Sequence, residues 1–301
     1  MATAALHDTP SASRAAPVAP PRPRRSFNWA NVGNGSVLLI IVLWCLLPFY
    51  WMVVMAFRDN AYTYDNTFWF THTTLQNFKY AFDTTNNHFG RSLANSLIIG
   101  TCVTVVAMLV GVFAAYALAR LAFRGKGFIL AAILAASMFP GVAILTPIFQ
   151  LFVDFGWLGT YQGLIVPQIS FSLPLAVYTL TSFFATMPWE LEQAARVDGA
   201  TPGQAFRLII LPLAAPAMFT TAILVFLASW NEYLLSSVLY NGKDNVAPST
   251  VALAKFTAGP HIVANTQTMA AGLVVTVPLV IVVLLFQRRI VSGLTAGGVK
   301  G

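Results

Sequence analysis

Six stretches of the chain contain no Asp, Glu, Lys or Arg: residues 26–57, 92–119, 127–153, 155–189, 208–231 and 256–287. Each exceeds the roughly 20 apolar residues with which an α-helix crosses a bilayer. A backbone in hydrocarbon must satisfy its own N–H and C=O groups, so runs of this length point to spanning helices. Charged residues make up 9% of the 301-residue chain and hydrophobic residues 57%, with a mean hydropathy of +0.71. A soluble domain carries about 25% charged residues. Soluble enzymes, nucleic-acid binders and secreted disulfide scaffolds are thereby excluded. The expectation is an all-α integral membrane protein with six transmembrane helices, at about residues 36–57, 92–119, 128–152, 161–184, 213–240 and 268–286.

The net charge of +7 is read through its distribution. With the N-terminus taken as cytoplasmic, inside segments hold Arg14, Arg22, Arg24, Arg25, Arg120, Arg124, Lys126, Arg196, Arg207, Arg288, Arg289 and Lys300. Outside segments hold only Arg58, Lys79, Arg91, Lys243 and Lys255. The positive-inside bias puts both termini in the cytoplasm and makes the basic balance a matter of topology. Residues 1–25, rich in Ala, Pro, Ser and Arg, read as a disordered basic cytoplasmic tail. Arg24-Arg25 faintly resembles a twin-arginine signal, but the apolar run behind it is too long for one. Residues 26–287 form the six-helix domain and 288–301 a second cytoplasmic tail. Cys45 and Cys102 sit within spans, and His7, His72, His88 and His261 are scattered without metal-ligand spacing.

Small residues in the second span (Gly111, Ala114, Ala115, Ala117) permit close helix approach. Pro140, Pro147, Pro167, Pro174 and Pro278 should kink or break their helices. A moving pathway and the ordinary proline enrichment of membrane helices both account for them.

The segment 185–212 is unlike the other loops. Pro188 suits a first helical position and Glu190 the positive helix end. Leu191, Ala194, Ala195 and Val197 supply an apolar face, and Asp198-Gly199 stops the helix. Thr201-Pro202-Gly203-Gln204 restarts one through a capping box. The expected product is a rigid helix–turn–helix knob at the cytoplasmic surface, fused to the fifth span and suited to a partner's groove. An interfacial amphipathic loop without a partner is the plainer reading.

At these residues the chain resembles a known family. Glu192-Gln193-Ala194-Ala195, then Gly199, then Ile209-Ile210-Leu211-Pro212 is similar to the EAA motif of ABC-importer permeases. The motif's Glu before the Ala pair is Gln193 here, with Glu192 beside it. Asn95-Ser96, Leu158-Gly159-Thr160, Trp230-Asn231-Glu232-Tyr233 and the ending Gln287-Arg288-Arg289 with Gly297–Gly301 resemble the carbohydrate-uptake branch, in particular its smaller maltose-type permease subunit. The resemblance covers about residues 36–301.

The resemblance implies a type I ABC importer permease fold in a bacterial cell membrane. It also implies a related permease as heterodimer partner, two ATPase subunits, an extracytoplasmic sugar-binding protein and a sugar as substrate. No cofactor is expected in this chain, since ATP and Mg would be bound by the ATPases. Glu190, Glu192, Gln193, Ala194, Ala195, Asp198, Gly199 and Ala200 would form the coupling helix. Gly297, Gly298, Val299, Lys300 and Gly301 would insert between the ATPases, or else fray. Trp230, Asn231, Glu232 and Tyr233 would lie on the translocation path or the permease interface. Glu232, an acid inside an apolar run, is by default a functional candidate. A structural hydrogen bond and a sugar contact both remain open for it. The loop 241–265 matches the position where the maltose importer's permease reaches into its binding protein, a plain connector being the alternative.

Gly125-Lys126-Gly127 lacks P-loop spacing, so no nucleotide site is expected in the chain. An ion-coupled secondary transporter would want further intramembrane carboxylates or matched broken helices. A membrane enzyme would want a clustered acid–base or metal constellation. Permeases of this family for glycerol-phosphate compounds are a further alternative for the substrate.

Overall fold

The computed structural model describes residues 29–65, 67–83, 88–258 and 265–298, with side chains described outside 29–34 and 288–298. The expected tail 1–25, residues 259–264 of the outer loop, and Val299, Lys300 and Gly301 lie outside the described residues, and only the backbone is described at Gly297 and Gly298. The chain divides into two compact units, Met1–Pro48 and Phe49–Gly301. In the first, residues 35–48 belong to a continuous helix whose side chains are all exposed within the chain. Its Val, Leu, Ile and Trp surface suits hydrocarbon rather than water.

The described residues form α1 (Trp29–Ala56), α2 (Gln76–Ala81), α3 (Phe89–Arg120), α4 (Lys126–Ser137), α5 (Leu145–Asp154) and α6 (Tyr161–Thr186). There follow α7 (Glu190–Val197), α8 (Pro202–Ala205), a π-turn (Phe206–Ile210), α9 (Leu211–Trp230), α10 (Leu234–Leu239), α11 (Ser249–Ala258) and α12 (Asn265–Gly298). Among the described residues, five helical segments are long and apolar enough to cross a bilayer: Gly35–Ala56, Phe89–Arg120, Tyr161–Thr186, Pro202–Trp230 and Asn265–Gln287.

Two expected spans are not single helices. The run 128–152 is broken, its halves Lys126–Ser137 and Gly141–Asp154 meeting at 87°. Pro140 accounts for the break: it lacks an N–H, and its ring would strike the carbonyl four residues earlier. Pro147 falls in the first turn of α5, where the missing donor has no intrahelical partner to lose. Pro167, Pro174 and Pro278, by contrast, lie inside continuous helices. The run 213–240 ends as a helix at Trp230 and resumes at Leu234.

In the second unit, α3 packs along α6 and α9, with α12 against α9. A Cβ at Gly111 would sit 3.1 Å from Ala176 Cβ, and one at Gly100 would sit 3.0 Å from the Phe226 ring. Small residues thus set the α3–α6 and α3–α9 approach, as expected of helices packed in lipid. Ile99, Val103, Ala107, Leu164, Ala176 and Val225 form one core cluster between these helices. A second cluster joins Val112, Ala115, Leu180, Phe184, Phe206, Ile210 and Ala214 at the end carrying α7.

Candidate functional site

The knob forms through local rules. α7 carries Glu190 and Glu192 in its first turn and Arg196 in its last, matching the helix dipole at both ends. It starts two residues later than Pro188 suggests, with Trp189 as N-cap. Gly199 adopts φ +88°, Ala200 N–H donates to Ala195 O at 2.9 Å, and Gly199 N–H donates to Arg196 O at 3.1 Å. These are the two bonds of a Schellman stop, which requires a residue tolerant of the left-handed region. Thr201 and Gln204 close a reciprocal capping box, the Gln204 N–H donating to Thr201 Oγ1 and the Thr201 N–H to Gln204 Oε1. The π-turn then widens the backbone ahead of Pro212, easing the contact its ring would make in a regular helix. The knob therefore continues without a joint into the span Pro202–Trp230.

Tertiary contacts sort the knob residues into two faces. Glu192 is 2% exposed and Ala195 is buried. Glu192 Oε1 accepts from the Tyr116 hydroxyl at 3.0 Å and from Arg196 Nη2 at 2.9 Å. Its Oε2 is buried without a hydrogen-bond partner among the described residues. Tyr116 also packs its ring against Phe206, with centroids 4.4 Å apart. Arg120 Nη2 donates to Met187 O at 2.9 Å, and its guanidinium lies 5.0 Å from the Trp189 ring centre. The C-terminal end of α3 thus grips both α7 and the chain leading into it. Glu190, Gln193, Ala194, Asp198 and Gly199 face away from the bundle, and Ala200 is half-buried. The expected single apolar face is divided: Ala195 points inward, whereas Leu191 and Val197 are exposed, Val197 at 87%. Tyr116 carried no sequence signal for this role, and Arg120 signalled only topology.

Trp230 ends α9, and residues 231–233 form the break before α10. Trp230 is buried beside Phe226, Ala252 and Ala271. Asn231 Nδ2 donates to Leu227 O at 2.8 Å, closing the end of α9. Glu232 caps α10: its Oε1 accepts from Leu235 N–H at 2.7 Å, and its Oε2 from Ser236 N–H at 3.0 Å and Ser236 Oγ at 2.6 Å. Tyr233 is exposed. The polar chain continues through buried Gln168 on α6, whose Nε2 donates to Ser236 Oγ at 3.3 Å and whose Oε1 accepts from Ser229 Oγ at 2.5 Å. A cavity of about 260 Å³ opens on this network, lined in part by Gly141, Gln168, Phe171, Ser172, Ser229 and Glu232. Gln168, an amide within an apolar run, is the residue a closer look at span polarity would have singled out.

At the opposite end of α3, Asn95 and Ser96 hold the segment that follows α10. Asn95 Nδ2 donates to Asn245 O and Ala247 O, Tyr161 donates to Asn95 Oδ1, and Ser96 Oγ accepts from Ser249 N–H. Val246, Ala247, Val251, Ala252 and Phe256 are buried, so residues 246–256 are folded onto the bundle. Gly159, at φ +65°, lies against the Lys243 side chain, and Thr160 caps α6. Among the described residues no group of three or more His, Cys, Asp or Glu could hold a metal ion.

Comparison with known proteins bears on the whole chain. Residues 107–295 match the family described as "Binding-protein-dependent transport system inner membrane component". The chain is 43% identical over 279 residues to the trehalose transport system permease protein SugB of Mycobacterium tuberculosis, covering 92% of this chain and 99% of that protein. It is 38% identical over 267 residues to the trehalose/maltose transport system permease protein MalG of Thermococcus litoralis, covering 89% and 95%. It is 35% identical over 276 residues to the diacetylchitobiose uptake system permease protein DasC of Streptomyces coelicolor, covering 91% and 97%. Its fold matches, with a TM-score of 0.71 at 24% identity, a chain in the crystal structure of a bacterial ABC transporter involved in import of the acidic polysaccharide alginate, covering 89% of this chain and 99% of that one. Sequence family and fold agree: this multi-pass membrane chain, with an ABC importer permease fold, belongs to the binding-protein-dependent transport system inner membrane components.

Proposed function

We propose that this chain is one permease subunit of an ATP-driven importer of sugars. It contributes half of the translocation path and receives the ATPase stroke through α7. The observation that carries the coupling role is the two-faced knob. Glu192 and Ala195 lock it to the bundle, while Glu190, Gln193, Ala194 and Val197 are presented outward. A groove-docked helix can bias a distant path only if its root is rigid and its free face is available. Both conditions hold here, and continuity with Pro202–Trp230 gives the knob a direct lever on a span. The positive-inside distribution supports a cytoplasmic α7, on the side where ATP is.

The sugar class is supported by the relatives, which are permeases of trehalose, trehalose/maltose and diacetylchitobiose systems. The implied partners are a related permease, two ATPase subunits that bind ATP and Mg, and an extracytoplasmic binding protein. A mild-detergent pull-down of the tagged full chain, with partners counted by mass spectrometry, tests the assembly. One related permease, two ATPase copies and a binding protein are expected. Recovery of the chain alone overturns the importer reading in favour of an ion-coupled carrier.

A further inference from the structure

The breaks in the two interrupted spans converge on one cavity. Gly141 begins the turn after the break in the third span, and Glu232 lies in the break between α9 and α10. Both line the cavity of about 260 Å³ that also meets Gln168, Phe171, Ser172 and Ser229. Irregular backbone at membrane depth is tolerated where it is buried in protein or lines a polar or wetted cavity. A second cavity, of about 390 Å³, is lined by residues of α4, α5 and α6, Phe171 again among them.

The polar atoms at the first cavity are partly committed. Gln168 Nε2 spends one of its two hydrogens on Ser236 Oγ, and Glu232 Oε1 accepts a single bond, from Leu235 N–H. An amide nitrogen has a second donor and a carboxylate oxygen a second acceptor position. One donor and one acceptor on neighbouring elements match a sugar hydroxyl, which gives one hydrogen bond and takes another. Phe171 and Leu235 supply apolar walls for the C–H face of a ring. Small-molecule pockets begin at about 300 Å³. The volume therefore suits one pyranose ring rather than a disaccharide.

We propose that this cavity is a carbohydrate-contact site in the permease itself, at which Gln168 and Glu232 bind a hydroxyl pair of one neutral sugar ring. The proposal rests on the importer reading above and adds a preference within it. A phosphate or uronate placed about 4 Å from the Glu232 carboxylate would be disfavoured by roughly a thousand-fold at the effective dielectric of a protein site. The site therefore selects neutral sugars over glycerol-phosphate compounds and acidic sugars.

The test uses the permease–ATPase complex in nanodiscs, without the binding protein, so that the permease's own preference is read. The probes are a photoactivatable diazirine derivative of trehalose and its 6-phosphate, each at millimolar concentration, with adducts mapped by mass spectrometry. Trehalose adducts are expected in residues 168–175 and 228–235, with at least ten-fold fewer from the phosphate probe. Ala228→Trp, which fills the cavity from α9, should reduce the neutral adducts at least ten-fold. Should that variant fail to assemble, Leu175→Trp fills the same space from α6. Adducts only elsewhere in the complex, or equal labelling by both probes, overturn the site while leaving the importer reading intact. A chain that captures no ATPase refutes the importer reading separately.

Discussion

The hydroxyl of Tyr116 donates to Glu192 Oε1 at 3.0 Å, joining the end of α3 to the buried face of α7 across 76 residues of sequence. Arg196 closes on the same oxygen from one turn further along α7. The knob is therefore held by a span to which it is not adjacent in sequence, as well as by the spans on either side of it. Movement of α7 must carry α3 with it, and α3 is the helix around which α6 and α9 pack.

Tyr116→Phe removes this bond while keeping the ring between Phe184 and Phe206. Losing a hydrogen bond to a charged acceptor costs about 1.5–3 kcal/mol. Amide exchange in residues 190–198 should rise by ten-fold or more, with exchange in the middle of α3 unchanged. Unaltered exchange in α7 would mean that the apolar contacts alone seat the knob.

Gly199 tests the turn. A Cβ there meets nothing within 4 Å, so any effect of substitution is conformational. The left-handed region costs an L-residue about 1–2 kcal/mol, least for Asn and most for β-branched residues. Gly199→Val should uncouple ATP hydrolysis from uptake in the assembled complex, and Gly199→Asn should retain most uptake. Equal activity in the two variants would remove the turn from the coupling path.

Gly111→Leu places a side chain where Ala176 Cβ already lies 3.1 Å from the position of a Cβ. Overpacking of this kind costs about 1–3 kcal/mol. The variant should lose several degrees of melting temperature in detergent, and Ala176→Gly in the same chain should restore part of it. An additive double variant would show that the two helices do not meet there in solution.

Asn95→Ala frees the Ala247 carbonyl and leaves the Tyr161 hydroxyl without its acceptor, while Asn245 O keeps only its bond from Arg91 Nε. Each unsatisfied buried group costs about 1–3 kcal/mol. Protease cleavage within 241–258 should accelerate at least ten-fold, whereas cleavage in α7 stays as in the parent. Protection of that segment in the variant would assign its seating to the Ser96 and Arg91 bonds and to the burial of Val246 and Phe256.

Glu232→Ala uncaps α10, a loss of about 1–2 kcal/mol for a cap serving a helix start. Glu232→Gln retains an acceptor for Leu235 N–H and should lose less. A larger stability loss in the Gln variant than in the Ala variant, read by thermal unfolding of the complex, would exclude the capping role.

Composition and spacing were enough for several features that depend on near neighbours in the chain. Lipid burial is decided by a run of some twenty residues, so the long helices α3, α6 and α12 were legible from their lack of charge. The stop at Gly199 and the capping box at Thr201 and Gln204 involve bonds spanning at most five residues, so they too could be read directly. Packing decided the rest. Proline chemistry is the same at Pro140 and at Pro167, yet one helix breaks and the other continues, so residue type alone did not tell the two apart. The partners of Glu192, Gln168 and Asn95 lie 76, 68 and 152 residues away, and the meeting of each pair depends on how the helices cross. Glu232 could be recognised as an unusual acid in an apolar run. That its carboxylate lines a cavity shared with Gln168 follows only from bringing α6, α9 and α10 together.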